Sequence, residues 1–342
     1  MALNVVVFGA GYWGKNILRS VYRLNRGGAK WVCDPNEDAL KEIEKEFPQV
    51  LTTRDFQSVL EDEGIDVAFV ITPPSLHYSH AKASLLANKH TWVEKPLTMS
   101  LKEAEELVEV ARGRGVVLFV DETFLYDPAL RVVKAMIDGG RIGKIYHLCF
   151  QRLGLGRVRC DSNVWWNSAP HDLSILRYLV GVPVKEISLR SFSYLQSGIE
   201  DVACASVTLQ HGISAVVYLS WFYPISTASV TIIGEKGAIW YEGRFRSRKV
   251  TLFSYKVGSP PIFSADGVPS PNLIPIEGRV EEEVTDFGNR TPLDIAVECF
   301  FAAIEKGEEQ PSLAHHCLET MRILEAAKVS SRQGGRPVQI GE

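Results

Sequence analysis

Apolar runs of three to five residues punctuate the first third of the chain, and each is followed by a stretch whose apolar positions recur at helical spacing. The runs at 5–8, 31–33, 67–71, 90–93 and 116–120 read as short buried strands. The stretches at 15–22, 37–47, 56–60, 77–87 and 100–112 read as helices. Leu40, Ile43 and Phe47 share one helix face, Asp55 is placed to cap the helix that follows it, and Ser100-Leu101-Lys102-Glu103 has capping-box spacing. Strand and helix alternate, which predicts a parallel sheet with right-handed crossovers, a doubly wound α/β Rossmann domain.

After a connector, Thr123 to Pro128, and a helix over 129–138 stopped by Gly139-Gly140, the pattern changes. Longer strands are expected at 145–153, 184–194, 202–209, 213–221, 229–233, 238–241 and 250–255. Several alternate apolar and polar residues, as an antiparallel sheet with one exposed face does. A Pro/Gly/Ser-rich loop over 258–267 and helices over 292–305 and 313–330 complete the chain. Residues 1–122 are thus expected to form a cofactor-binding Rossmann domain. Residues 123–342 are expected to form an α+β domain with a large, mostly antiparallel open sheet, whose exposed face predicts a homo-oligomer, dimer or tetramer.

A length of 342 residues suits two domains. With 46% hydrophobic residues, 23% charged and a net charge of −4, nothing suggests a nucleic-acid partner or a charged tail. No apolar run approaches the roughly 20 residues of a membrane span, and no signal peptide is expected, so the chain reads as cytoplasmic. Cys33, Cys149, Cys160, Cys204, Cys299 and Cys317 are scattered without a C-x-x-C pair and read as reduced thiols, not as a disulfide frame or zinc site. His315-His316 reads as a polar helix face, and no metal is expected.

Candidate chemistry begins at Gly9-Ala10-Gly11-Tyr12-Trp13-Gly14, a G-x-G-x-x-G turn with a strand before it and a helix after it. Gly9 permits the tight turn, Gly11 lets a pyrophosphate approach the backbone, and Gly14 lets helix and strand pack closely. Free N–H groups and the dipole at the helix start attract phosphate. Asp34, at the end of the second strand, stands where an acid meets the adenosine ribose, and its charge favours NAD over NADP. A turn that binds nothing is the alternative. Tyr12 and Trp13 lie within the turn, and Thr72, Pro73 and His77 follow the third strand at the expected cofactor edge. For His77, a surface place in the first turn of its helix is the other reading.

Glu94-Lys95-Pro96 ends the fourth strand. With the glycine turn about eighty residues before it, it resembles the glucose–fructose oxidoreductase / inositol dehydrogenase / MocA (Gfo/Idh/MocA) family over essentially the whole chain. That resemblance implies that Lys95 lies beside the nicotinamide and contacts the substrate hydroxyl, that Glu94 orients it, and that the bond before Pro96 is often unusual. A solvated ion pair of Glu94 and Lys95 is the alternative. The family places D-x-x-x-H where this chain has Asn167-Ser168-Ala169-Pro170-His171, opening a helix. The resemblance makes His171 the acid/base and Asn167 a departure from the aspartate; an amide orients a hydroxyl but takes no proton. A histidine at a helix start titrates low and is ready to take a proton, whereas a structural histidine bonded to Asp172 or to backbone is the other reading.

Within the family, the run from Arg152 to Leu173 together with Thr123 to Pro128 is most similar to nucleotide-sugar 3-dehydrogenases, which oxidise C3 of a UDP-N-acetyl-hexosaminuronate. Arg152 and Arg157 then suit the substrate's anionic groups, since guanidinium pairs bidentately with carboxylate or phosphate, and Tyr126 joins the substrate contacts. Arg159 reads as a surface arginine. An NAD-dependent sugar dehydrogenase is the resulting expectation. A dehydrogenase of a free polyol, inositol or aldose, and a cofactor-binding regulator without catalysis, are its rivals.

Overall fold

The computed structural model describes residues 3–25, 27–156, 158–244, 247–258 and 276–341. From residue 259 onward the loop expected over 258–267 lies outside the described residues, as does Arg157. The chain divides into two compact units. The first runs to Asp127 and takes in Trp165–Tyr178 and Asn289–Arg332. The second comprises Pro128–Val164, Leu179–Gly288 and the residues from Gln333. The units are therefore discontinuous in sequence, unlike the contiguous expectation of 1–122 and 123–342.

In the first unit, β1 (Leu3–Phe8), β2 (Gly27–Cys33), β3 (Leu51–Thr53), β4 (Val67–Val70), β5 (His90–Val93) and β6 (Leu118–Val120) form a parallel sheet ordered β3-β2-β1-β4-β5-β6. This is the doubly wound order, with its switch point between β1 and β4. The intervening helices are α1 (Tyr12–Leu24), α2 (Glu37–Glu46), α3 (Phe56–Leu60), α4 (Pro74–Leu86) and α5 (Leu101–Arg114). Asp55 and Ser100 cap as the sequence predicts, accepting from backbone N–H groups of α3 and α5, and Asn36 does the same for α2. The strand β3 escaped the sequence reading because three residues with an exposed Leu51 leave no buried run.

Two later helices complete this unit, α8 (Pro292–Lys306) and α9 (Ala314–Arg332). Phe300 of α8 packs with Phe69, Trp92 and Phe119 of β4, β5 and β6, and all four are fully buried. α9 lies against α5 and β6. α7 (Val164–Val180) also belongs here for most of its length and has Pro170 in its interior. The sequence reading set Pro170 in the first turn. The helix instead begins earlier, and its apolar Val164, Trp165 and Trp166 are buried.

The second unit holds α6 (Pro128–Asp138) and a nine-stranded sheet ordered β14-β13-β12-β11-β7-β10-β9-β8-β15. Its strands are β7 (Ile145–Leu155), β8 (Val184–Phe192), β9 (Val202–Leu209), β10 (Ser214–Ser220), β11 (Phe222–Gly234), β12 (Gly237–Glu242), β13 (Lys249–Val257), β14 (Ile276–Val284) and β15 (Val338–Gln339). All neighbours pair antiparallel except β7 and β10. α6 packs on β12 and β13. β11 starts seven residues before the expected strand. Pro224 obscures that extension in the sequence, and the register to β7 breaks there, jumping from Phe222 to Thr227. The polar, exposed edge strand β14 carries no apolar alternation to read. No helix among the described residues is long and apolar enough to cross a membrane.

Candidate functional site

The glycine turn is as tight as its composition requires. Gly9 has φ +110°, and a Cβ there would stand 2.4 Å from the carbonyl oxygen of Ile71; a Cβ on Gly14 would stand 1.9 Å from that of Gly9. At Gly11 a Cβ would meet nothing within 4 Å, so the backbone offers open space where a pyrophosphate has to approach. The N-cap of α1 is Gly11, with no side chain bonded to the first-turn amides. Asp34 follows β2; its Oδ2 accepts from Ala10 N at 2.7 Å and its Oδ1 from Asn36 N at 2.8 Å. The acid thus holds the turn in shape from the position where a ribose is expected. These features fit a dinucleotide.

The rim at the carboxyl ends of the strands is built by one repeated backbone bond. Gly9, Ile71, Glu94 and Asp121 each donate N–H to the last residue of a neighbouring strand, Cys33, Phe8, Val70 and Val93. Glu94 and Asp121 therefore stand side by side one residue beyond paired Val93 and Val120. Lys95 comes next, with a cis bond to Pro96. Its side chain is 15% exposed, and Nζ donates to the backbone oxygen of Asn167 at 2.9 Å. Glu94 Oε1 is 3.9 Å from Nζ, within ion-pair range. Asn167 and His171 are one turn apart on α7, so they share a face. Pro170 has no N–H to offer Trp166 and crowds that carbonyl, which interrupts the helix ladder on the turn that receives Lys95. The His171 ring lies edge-on to Phe124, with centroids 4.7 Å apart. Its expected place at a helix start is corrected. His171 is the eighth residue of α7, beyond the first turn to which the dipole effect is confined.

The residues sequence reasoning missed are acids and their partners. Asp121 is 1% exposed and accepts from Trp13 Nε1 at 2.6 Å and from Thr123 Oγ1. Trp13 thus turns its polar atom into the protein. Burial, and then the Asp121 carboxylate bonded beside it, push the Glu94 carboxyl well above the usual range. Glu122, also buried, pairs with Arg177 of α7 at 2.7 Å, and that guanidinium also donates to Pro311 O at 3.0 Å. A periodic pattern marks these positions only as strand ends. That α7 and the segment before α9 return to the rim has no signature in sequence.

Two expected contacts are corrected. His77 is wholly buried, with Nδ1 2.7 Å from Pro96 O and Nε2 2.8 Å from Thr72 O. It ties the turns after β4 and β5 together and is neither a surface residue nor exposed to a ligand. α4 begins at Pro74, with Pro73 at its N-cap position, so His77 is its fourth residue and not its first. Tyr126 is 1% exposed and stacks on Phe119; burial puts its hydroxyl in the core and pushes its pKa up. Tyr12 is exposed beside the turn, and Thr72 supplies its carbonyl to His77. In the second unit, Arg152 lies half-buried on β7, and Arg159 makes a bidentate pair with Asp161 at 2.7 and 2.6 Å. At the start of α9, the Nε2 atoms of His315 and His316 face Glu309 Oε1 at 3.1 and 2.7 Å. A helix start and the nearby Arg177 oppose a cation there.

Residues 3–122 match the model of an oxidoreductase family with an NAD-binding Rossmann fold, and residues 130–240 match the Gfo/Idh/MocA C-terminal domain. The scyllo-inositol 2-dehydrogenase (NAD+) of Bacillus subtilis is 31% identical over 262 residues, 72% of this chain and 75% of that protein. Among solved structures, the UDP-N-acetylglucosamine 3-dehydrogenase GnnA of Acidithiobacillus ferrooxidans superposes with a TM-score of 0.80 at 18% identity, covering 97% of this chain and 99% of that one. Levoglucosan dehydrogenase in complex with NADH gives 0.81 at 18%, covering 99% of both. The two structures show a shared fold; the family models and the inositol dehydrogenase show kinship. The chain is therefore a member of the Gfo/Idh/MocA family of NAD-binding oxidoreductases.

Proposed function

We propose that the protein oxidises a secondary ring hydroxyl of a cyclic polyol or sugar with NAD. The observation that carries this reading is the bond from Lys95 Nζ to the backbone of Asn167, one turn before His171. It brings the Lys95 ammonium to the turn of α7 that carries Asn167, one turn before His171, which supports a shared site. A hydroxyl between Lys95 and His171 loses its proton to the imidazole while the ammonium donates to the developing alkoxide. The Asn167 amide orients a neighbouring hydroxyl. NAD, when bound, supplies the hydride acceptor for the same carbon.

A free polyol leads because the relative named above as an inositol dehydrogenase shares the greater identity. The nucleotide-sugar reading rests on Arg152, half-buried on β7, and on Arg157. Arg159 is withdrawn from it by Asp161. On either reading residues 1–122 serve the cofactor and substrate and subunit contacts come from within 123–342, of which α8 and α9 instead cover the Rossmann sheet. Exposed Tyr146, Leu155, Tyr194, Phe222 and Ile225 on the second unit's strands and loops support a homo-oligomer, which light scattering checks. The regulator reading is opposed by retention of both Lys95 and His171.

The deciding experiment mixes purified protein and NAD with scyllo- and myo-inositol, free aldoses, UDP-N-acetylglucosamine and its uronate, and follows NADH. Turnover with inositols or free sugars supports the first reading, and turnover confined to the UDP compounds supports the second. NAD binding without turnover on the whole panel rejects both.

A further inference from the structure

Two carboxyl groups sit side by side where the site described above needs a defined charge. Glu94 and Asp121 follow hydrogen-bonded partners Val93 and Val120 of adjacent parallel strands, so their backbones stand about 4.8 Å apart and their side chains leave the same face. Asp121 is buried and takes two donors, Trp13 Nε1 at 2.6 Å and Thr123 Oγ1. Glu94 stands beside Asp121 and has one oxygen 3.9 Å from Lys95 Nζ. Two neighbouring carboxyl groups resist carrying two charges, and any bond between them requires a proton, because carboxylates only accept.

We infer that Glu94 and Asp121 hold a single proton between them, carried by Glu94, and that Trp13 and Asp121 are positioning residues that fix the charge presented to Lys95. Asp121, accepting from indole and hydroxyl, is the acceptor of the pair, and Glu94 is the donor. The pair then has one negative charge, which balances the one positive charge of the Lys95 ammonium. A second ionisation would place two negative charges against that ammonium in a site with little water, and two neighbouring carboxylates resist this. The other charged groups at this place are already engaged. Glu122, the next residue, pairs with Arg177, and His77 lies beyond the Pro96 carbonyl with both nitrogens on backbone oxygens. The indole links the glycine turn to the catalytic lysine through the two acids. That link gives Trp13 a task other than touching a ligand.

The shared proton is a property of the protein alone; its bearing on Lys95 rests on the dehydrogenase reading. The test separates the two. Full-length protein labelled with 13C at Asp and Glu carboxyls is titrated by NMR without substrate. One carboxyl should stay protonated well above the ordinary Glu value of about 4.3. Glu94→Gln should abolish that transition, which identifies it. Trp13→Phe keeps the ring and removes one charge-assisted donor, so the transition should rise by about one pH unit. Asp121→Asn removes the neighbouring charge and should bring it down toward the ordinary value. A purely packing role for Trp13 and Asp121 predicts no such opposition. No high transition, or movement of both variants in one direction, overturns the shared proton. If the panel yields a substrate, the pH profile of kcat/KM should shift in the same opposite directions. Shifts in the NMR titration without shifts in that profile overturn the link to Lys95.

Discussion

Lys95 meets α7 through a backbone oxygen, which changes what Asn167 is needed for. The sequence marks Asn167 as a departure from an acidic residue, and the concern is a lost charge. The lysine contact survives any side chain there, since the carbonyl is common to all residues. Asn167→Ala should therefore leave Lys95 in place and lower kcat/KM about tenfold, the value of one hydrogen bond to a substrate hydroxyl. Steady-state kinetics check it, and an unaltered kcat/KM would deny the amide any substrate role. Lys95→Ala should act differently. It removes the donor to the developing alkoxide, so turnover should fall by about 100-fold or more while NAD affinity, read by fluorescence titration, changes little. The candidate site residues were legible because glycine turns and strand-end motifs have local signatures. Asp121, Glu122 and Arg177 were not, because a buried acid at a strand end differs from a surface one only through partners far away in sequence.

At the scale of elements, the sequence showed strands and helices wherever burial is periodic and failed where an element is exposed, bent or pinned from outside. β14 is polar along its length, β11 is broken in register near Pro224, and α7 runs through Pro170. His77 shows the same limit in a helix: its helix was legible, but neither the start at Pro74 nor the burial of His77 was. The buried ring lies between backbone oxygens of the turns after β4 and β5 and donates its one N–H to either of them, so His77→Ala should destabilise the fold by about 2–3 kcal/mol through the lost bond and a small cavity. Chemical denaturation reads this, and a change below about 0.5 kcal/mol would deny the tie. His90 makes a related contact that depends on pH. Its Nδ1 accepts from Val117 N at 3.0 Å, linking the start of β5 to the approach to β6, and burial keeps its pKa below the ordinary 6.5. The unfolded chain therefore takes up a proton first. The contribution is fully present above about pH 6.5 and is lost as pH falls toward the folded value. His90→Gln offers an amide oxygen that does not titrate, so the decline in stability from pH 7 to 5 should be shallower in the variant than in the parent. Parallel declines would show that this bond plays no part.

At the scale of the molecule, the doubly wound unit is assembled from three stretches of chain, and its last covering layer comes from the end of the sequence. An amphipathic pattern in α8 says that one face is buried, not what buries it. The structure supplies the partner: Phe300 meets Phe69 edge-on at 5.6 Å, Trp92 edge-on at 5.5 Å and Phe119 at 5.3 Å, all without solvent exposure. Asp294 of the same helix, bonded to Ser20 and paired with Arg23, holds α8 against α1. Because β4, β5 and β6 carry the rim that holds Glu94, Lys95 and Asp121, removing their cover should damage the site without touching it. Phe300→Ala leaves a ring-sized cavity against three aromatic side chains, and should cost about 3–5 kcal/mol. NAD binds the folded state only, so saturating cofactor should restore much of the lost melting temperature. A chain ending at Asp127 lacks α8 altogether and exposes Phe69, Trp92 and Phe119, so it should melt without a cooperative transition. A cooperative transition in that fragment, or a loss below about 1 kcal/mol for Phe300→Ala, would mean that the Rossmann sheet holds its rim in place without the C-terminal helices.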